Sequence, residues 1–434
     1  MHWLRRYRSF LRWFIPGLHI KRWLLMLIVG IALIGLGLAY LLRSVYAAGV
    51  YPETIYWLTL QFLPRPLRAL AFGLAGVGVT LWGLIELNRA LLAPFTTPDA
   101  SAAERIYRHR RRRRGPRIVC IGGGTGMPAV LRGLKAYTDH ITAIVTVADD
   151  GGSSGKLRQA LGLPPPGDFR NNIAALSEAE ATVTRLFQYR FAGGEGLEGH
   201  AFGNLYLAAM AGVTGSFEQG LLESSRVLAV RGRVLPSTLD LVQLVADVSD
   251  EGGRLERIRG ESLIPRLGEG RRIHHVYLEP ERPRAYPEAV RAILEADLIV
   301  AGPGSLYTSV IPNLLVPEIA QAVAAAAGLK VYVCNIATQR GETEGYNVDD
   351  HVQALIRHAG ARILNCVLAN DLFTPPAPPR AEWVKLPAQP PRGYRLVTAN
   401  LRQDVHVWRH DPERMARALI DLLEEETGIR SGLI

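Results

Sequence analysis

The stretch that decides the fold runs Arg117-Ile-Val-Cys-Ile-Gly-Gly-Gly-Thr-Gly-Met-Pro-Ala-Val-Leu131. Ile118–Ile121 is apolar and short, as a buried strand is. Gly122, Gly123, Gly124 and Gly126 follow, and then an apolar run that starts with Pro128 at a first-turn position. Strand, glycine turn, helix is the reading. The glycines leave main-chain N–H groups uncovered at the positive end of the helix, which suits a phosphate or diphosphate. Thr125 adds a hydroxyl. The turn is neither Gly-x-Gly-x-x-Gly nor a Walker A loop, because no Gly-Lys-Ser/Thr follows.

Outward from this turn, strand and helix patterns alternate. Ile141–Ala148, Leu298–Ala301, Val331–Cys334 and Ile363–Leu368 read as strands, with helical segments at 319–327 and 352–358. Runs that are apolar on both faces, separated by helices, predict an α/β, Rossmann-like, mostly parallel sheet covered by helices on both faces. Residues 241–259 read as a β-hairpin around Gly252 and Gly253, inserted into or beside that sheet. Residues 373–392 are proline-rich and read as an irregular loop. Cys120, Cys334 and Cys366 each sit in an apolar run and read as buried thiols rather than a disulfide set.

Charge and hydropathy divide the chain. Residues 1–117 hold 18 Lys/Arg and 4 Asp/Glu, a balance of +14; the remainder holds 32 and 36, a balance of −4. The total of +10 is therefore no argument for nucleic acid. Residues 23–42 carry no charge, and a helix of that length reaches about 30 Å, a bilayer core. Residues 69–85 form a second uncharged run. The expectation is a membrane hairpin over 1–93, with spans at about 23–42 and 69–87, a basic linker over 94–115 and a nucleotide-binding domain over 116–434. Arginines outside both spans, including Arg110–Arg114, put the N-terminus and the main domain on the cytoplasmic side of a two-pass cell-membrane protein. A juxtamembrane site for anionic lipid is the reading of Arg110–Arg114.

Several polar, glycine-bearing loops follow strand ends, where ligands lie in such sheets. Asp149 and Asp150 are adjacent, so one faces the cleft, to hold a divalent cation or a ribose hydroxyl; N-capping the next helix is the other reading. Ser153 and Ser154 extend that surface. Asp168 is a candidate acid, base or metal ligand, Arg170 a phosphate clamp, and Asn171 lies beside them. His200 and Asn204, four residues apart, would share a helix face. Gly304, Ser305 and Thr308 would seat a second phosphate, and Tyr307 would stack on a base or sugar. Asn335, Thr338, Gln339 and Thr343 suit a base edge or hydroxyls; Asp350, His351 and Arg357 follow at helical spacings and would close the pocket, although a solvated helix position is the preferred reading of Asp350. A serine hydrolase lacks its Gly-x-Ser-x-Gly elbow.

Six motifs in this order, Gly-Gly-Gly-Thr-Gly (122–126), Ala-Asp-Asp-Gly-Gly-Ser-Ser-Gly (148–155), Pro-Gly-Asp-Phe-Arg-Asn (166–171), His-Ala-Phe-Gly-Asn (200–204), Gly-Pro-Gly-Ser-Leu-Tyr-Thr-Ser (302–309) and Asn-Ile-Ala-Thr-Gln-Arg-Gly-Glu-Thr-Glu-Gly-Tyr (335–346), resemble the CofD/YvcK family, and the last two resemble its YvcK-type branch. The resemblance covers about 115–430. It implies a Rossmann-like nucleotide-diphosphate fold. In the YvcK-type branch it implies a gluconeogenesis factor that binds a UDP-sugar such as UDP-N-acetylglucosamine and supports cell shape and wall synthesis, without an established reaction. The other branch implies a metal-dependent 2-phospho-L-lactate transferase with a guanosine-diphosphate donor and a deazaflavin acceptor. For that chemistry Asp149, Asp150, Asp168 and His200 are the catalytic candidates, and Asp149 and Asp150 the metal ligands. No covalent cofactor is expected; Mg2+ would accompany the diphosphate. Expected partners are a nucleotide-diphosphate sugar, the membrane and a second copy of the chain, and no nucleic acid. The family's usual members lack the hairpin.

Overall fold

The computed structural model describes residues 62–92 and 115–428, without 251, 375, 376 and 378–380, and with isolated residues among 31–60 and at 112. The chain divides into two units, Met1–Arg110 and Arg111–Ile434. In the first, a helix spans Arg65–Leu92. It covers the second apolar run, but Arg65, Arg68, Glu86 and Arg89 lie within it and four glycines dilute its apolar stretch. Among the described residues no helix is long and apolar enough to cross a membrane. Most of the first expected span and most of the basic linker lie outside the described residues.

The second unit is built on a seven-stranded sheet. Its strands are β1 (Ile118–Gly122), β2 (Ile141–Val145), β3 (Arg233–Pro236), β7 (Leu298–Ala301), β8 (Leu329–Val333), β9 (Cys366–Asn370) and β10 (Arg395–Ala399). The order is β10-β9-β8-β7-β1-β2-β3, and every pairing is parallel, as the expected mostly parallel sheet requires. β1, β2 and β9 are buried at every position, because helices cover both faces. From β1 the chain moves to β2 and β3 on one side, then returns to β7 on the other. The boundary between β1 and β7 is thus the topological switch point, where a crevice opens at the carboxyl ends of the strands.

The expected hairpin is present and larger than expected. β4 (Gln243–Ser249) pairs antiparallel with β5 (Leu255–Arg259) and with β6 (Arg272–Glu279), giving a separate three-stranded sheet. The helices that shape the site are α1 (Met127–Leu134), α2 (Gly152–Leu161), α3 (Pro166–Leu176), α4 (Glu180–Gln188), α5 (Phe202–Thr214), α6 (Phe217–Val227), α7 (Ile264–Leu267), α8 (Pro287–Leu294), α9 (Ile311–Leu314), α10 (Pro317–Ala325), α11 (Val348–Ala359) and α12 (Pro412–Thr427). One π-helical turn, Leu306–Val310, precedes α9.

Helix starts differ in a way that bears on the site. Ser216, Asn347 and Asp411 cap α6, α11 and α12 with their own side chains, and Asn347 and Asp350 complete a capping box. Asp350 is therefore a cap rather than a pocket residue. α1 starts at Gly126 with no side-chain cap. The three cysteines are free and buried, as expected.

Candidate functional site

The glycine turn packs directly on the loop after β7. A Cβ built on Gly126 would stand 2.3 Å from the carbonyl oxygen of Pro303. Only glycine permits that approach, which brings two strand-end loops together at the switch point. Asn335, at the end of β8, braces the second loop: its Nδ2 donates to the carbonyl of Gly304 at 3.0 Å, and its Oδ1 accepts the Gly304 N–H at 3.3 Å. Asn335 Nδ2 also donates to Gln339 Oε1 at 3.0 Å, and Gln339 Nε2 donates to Ser305 Oγ at 2.9 Å. Buried Asn313 ties the same region to β1, donating to the carbonyls of Gly122 at 3.0 Å and Ser309 at 2.8 Å.

A cavity of about 640 Å3 opens beside these loops. Thr125 and Gly126 supply the uncapped start of α1. Arg170 and Asn171 come from α3, Gly304 and Ser305 from the loop after β7, and Asn335, Thr338 and Gln339 from the loop after β8. All nine are among the residues expected from sequence. Arg170 lies against Asn171, with Nη2 donating to Asn171 Oδ1 at 3.1 Å. Burial, and then the charge of Arg190, lower the pKa of Arg170. An anion would relieve that cost.

The remaining expected residues lie elsewhere. Pro166–Asn171 begins α3 rather than preceding it, because Pro165 and Pro166 fit a helix start. His200 lies before α5, so it does not share a helix face with Asn204. Both instead meet Ser153: Ser153 Oγ is 3.1 Å from His200 Nδ1, and Asn204 Nδ2 donates to it at 3.1 Å. Ser154 Oγ accepts the N–H of Gly167 at 3.0 Å. These four join α2, α3 and α5 rather than face the cavity. Tyr307 is fully buried, its hydroxyl 2.8 Å from that of Tyr346, so it stacks on no ligand. Thr308 Oγ1 donates to Glu342 Oε1 at 3.0 Å, and buried Thr343 accepts the Gln339 N–H at 2.9 Å. Buried His351 packs inside α11, and Arg357 is exposed on that helix.

An acidic group flanks the glycine turn. Asp168 Oδ2 accepts the Gly124 N–H at 2.7 Å. Burial, then the charge of Asp149, push Asp168 up to about 6. Asp149 is raised as well, chiefly by burial, and its Oδ1 accepts the Gly151 N–H at 2.9 Å. Glu261 is pushed up to about 8 by burial and then by Asp149 and Asp168. Asp150 turns to other partners: its Oδ1 accepts the Ser262 N–H at 2.9 Å. Asp149 and Asp150 thus hold different main-chain N–H groups, those of Gly151 and Ser262. Among the described residues no three His, Cys, Asp or Glu side chains are grouped to hold a metal ion.

Sequence reasoning missed a whole wall of the cavity. Arg132 of α1, Gln403, Trp408, Arg409 and His410 all line it. Arg132 also pairs with Glu180 of α4, which Lys135 joins. Arg132 stands six residues after Gly126, a spacing that could have pointed to it. Residues 403–410 follow β10, and no local motif marks them. His410 is buried, with Nε2 3.1 Å from the carbonyl of Cys334, and burial lowers its pKa to about 4.

Known proteins carry the same domain. Residues 118–392 match the family described as 2-phospho-L-lactate transferase CofD. A Bacillus subtilis protein named gluconeogenesis factor is 47% identical over 321 residues, spanning 71% of this chain and 99% of that protein. A Nostoc sp. relative is 43% identical over 437 residues, 96% of this chain and 93% of its own length. That alignment takes in most of residues 1–110, so the N-terminal region is shared with this relative rather than being a departure of this chain. A crystal structure of a Bacillus halodurans protein, described as a member of the UPF0052 family, superposes with a TM-score of 0.64 at 42% identity over 71% of this chain and 99% of that one. The parallel sheet, the glycine turn at its switch point and these similarities agree: the chain belongs to the CofD family, and it is similar to the members named gluconeogenesis factor.

Proposed function

We propose that the domain is a gluconeogenesis factor that binds a nucleotide-diphosphate sugar, of the UDP-N-acetylglucosamine type, and acts by binding rather than by turnover. The observation that carries this reading is the cavity at the switch point. Its walls combine the uncapped start of α1 with Arg132, Arg170 and Arg409, which suit a diphosphate. Asn171, Asn335, Gln339, Ser305 and Thr338 supply amides and hydroxyls, which suit a sugar or a base. At about 640 Å3 the volume is that of a small-ligand site. A role in cell shape and wall synthesis during gluconeogenic growth, and attachment to the membrane through residues 1–93, complete the proposal. They rest on the family resemblance and on the charge and hydropathy of the N-terminal sequence.

The test is ligand binding to the purified chain, comparing UDP-N-acetylglucosamine with guanosine diphosphate, with and without Mg2+. The uridine compound raises the melting temperature of the wild-type chain by several degrees, and Arg170→Met removes most of that shift. Absence of any shift at millimolar ligand sinks the reading. The acidic group of Asp149, Asp168 and Glu261 beside the glycine turn favours a second reading, a phospholactyl transferase of the CofD type. Turnover of a phospholactyl-guanosine donor with a deazaflavin acceptor and Mg2+ would select it.

A further inference from the structure

Several side-chain acceptors of the cavity are already engaged within the protein, while Thr184 Oγ1, which also lines it, has no hydrogen-bond partner among the described residues. Asn171 Oδ1 accepts from Arg170, Asn335 Oδ1 from the Gly304 N–H, and Gln339 Oε1 from Asn335. Ser305 Oγ accepts from Gln339, and Thr338 Oγ1 accepts the Glu382 N–H at 3.0 Å. His410 differs. It is 8% exposed and lines the cavity. Its Nε2 faces the carbonyl of Cys334 at 3.1 Å. A carbonyl oxygen only accepts, so Nε2 carries the ring proton and Nδ1 carries a lone pair. Nδ1 has no partner among the described residues. Burial, which lowers the pKa to about 4, keeps the ring in that neutral form.

We propose that His410 Nδ1 is a specificity-determining acceptor of this cavity, taking a hydroxyl or ring N–H from the part of the ligand beyond its phosphates. A bare diphosphate has no such part, whereas a nucleoside and a sugar both carry hydroxyl or N–H donors there. The cationic wall then supplies affinity for any diphosphate, and His410 supplies preference for a nucleotide-sugar. The inference rests on the diphosphate reading of the same cavity.

Calorimetric titration of the full chain with pyrophosphate, UDP and UDP-N-acetylglucosamine tests it, using wild type, His410→Phe and His410→Asn. Phenylalanine keeps the ring and removes the acceptor. Affinity of His410→Phe for UDP-N-acetylglucosamine falls roughly tenfold, while its affinity for pyrophosphate stays within about twofold of wild type. UDP places the donor: a matching fall assigns it to the nucleoside, and no fall assigns it to the sugar. His410→Asn restores a carbonyl acceptor and recovers part of the loss. Unchanged affinity for UDP-N-acetylglucosamine in His410→Phe overturns the proposal, as does an equal fall for pyrophosphate, which would mark a merely structural residue. Should His410→Phe not fold, nitrogen-15 spectra of the wild-type histidines decide. UDP-N-acetylglucosamine, and not pyrophosphate, shifts an unprotonated ring nitrogen that is missing from His410→Asn; the absence of that shift overturns the proposal. A wild-type chain that binds none of the three compounds refutes the diphosphate reading itself. Equal wild-type affinity for pyrophosphate and UDP-N-acetylglucosamine refutes only the role of His410.

Discussion

The carboxylate of Asp168 accepts the main-chain N–H of Gly124 at 2.7 Å. A side chain of the protein thus occupies part of the turn whose sequence offers N–H groups to a phosphate, and the anion-seeking surface shifts to Thr125, Gly126 and the arginines of the cavity. The arrangement also stores unfavourable charge: burial raises all three carboxyls, and Asp168 is raised further by Asp149, Glu261 by Asp149 and Asp168, and Asp149 by Asp150.

That charge fixes the pH dependence of stability. Glu261, Glu342 and Asp168 have folded values of about 8, 7 and 6, above their ordinary range. A raised carboxyl adds stability that is complete below its unfolded pKa and is lost as pH rises through the folded one. His358 and His410 are lowered to about 4 by burial, so they remove stability as pH falls below about 6.5. Between pH 8 and 6.5 only the carboxyls act, and thermal melts of the full chain shift upward as the buffer is acidified. Below 6.5 the histidines oppose the gain. Asp168→Asn keeps an acceptor for Gly124 and removes the charge. It is more stable than wild type at pH 8 by about 1–2 kcal/mol, a value reduced for the partial exposure of Asp168. The two melts converge only below about pH 4, the ordinary value of an unfolded aspartate. A constant difference across that range would refute the assignment.

Two glycines of one turn answer differently to the same substitution. A Cβ on Gly126 meets the Pro303 carbonyl oxygen at 2.3 Å and its carbon at 2.7 Å, both backbone atoms. A Cβ on Gly122 meets nothing nearer than Met127 Sδ at 3.6 Å. Gly126→Ala forces the β1 and β7 loops apart and costs roughly 2–4 kcal/mol, with loss of ligand binding. Gly122→Ala changes stability by less than about 1 kcal/mol. Denaturant titration of both variants measures the contrast, and equal losses would contradict the packing described.

How far the sequence speaks depends on whether burial is local or long-range. β1 and β7 are continuous apolar runs, and β2 and β8 are interrupted only by Thr142 and Lys330; helices cover both faces, and all four were legible as strands. β9 starts three residues later than its apolar run, because Ala361–Ile363 form a 3-10 turn and Asn365 Oδ1 accepts the Lys330 N–H. β6 was not legible. A register shift in its pairing near Asp247 and Val248 puts His274 and His275 both at exposed positions, which breaks the period of two. The site divides in the same way. Thr125, Gly126, Gly304, Ser305 and Asn335 follow strand ends, where the fold itself predicts ligands. Trp408, Arg409 and His410 reach the same cavity from a loop after the last strand, and nothing near them in sequence marks the contact. Tyr307 misled for a chemical reason: a tyrosine after Gly-Pro-Gly-Ser reads as an exposed stacking ring, whereas the π-helical turn buries it.

Tyr307 therefore gives the sharpest test of site against core. Its ring is fully buried, its N–H donates to Glu342 Oε2 at 3.2 Å, and its hydroxyl meets Tyr346 at 2.8 Å. Burial, with the neighbouring Tyr346, raises its hydroxyl pKa far above the ordinary value, so it remains neutral. Tyr307→Phe keeps the ring and removes one buried hydrogen bond, at a cost of about 1 kcal/mol. Tyr307→Ala empties a ring-sized space under the π-helical turn and costs roughly 3–5 kcal/mol. A stacking residue would lose ligand affinity on loss of its ring while leaving the fold intact. A core residue does the reverse: Tyr307→Leu, which removes the ring, lowers the melting temperature by several degrees, and the folded fraction binds UDP-N-acetylglucosamine within about twofold of wild type. Calorimetric titration and thermal melting of the same Tyr307→Leu sample separate the two, and a tenfold loss of affinity at unchanged stability would return Tyr307 to the ligand.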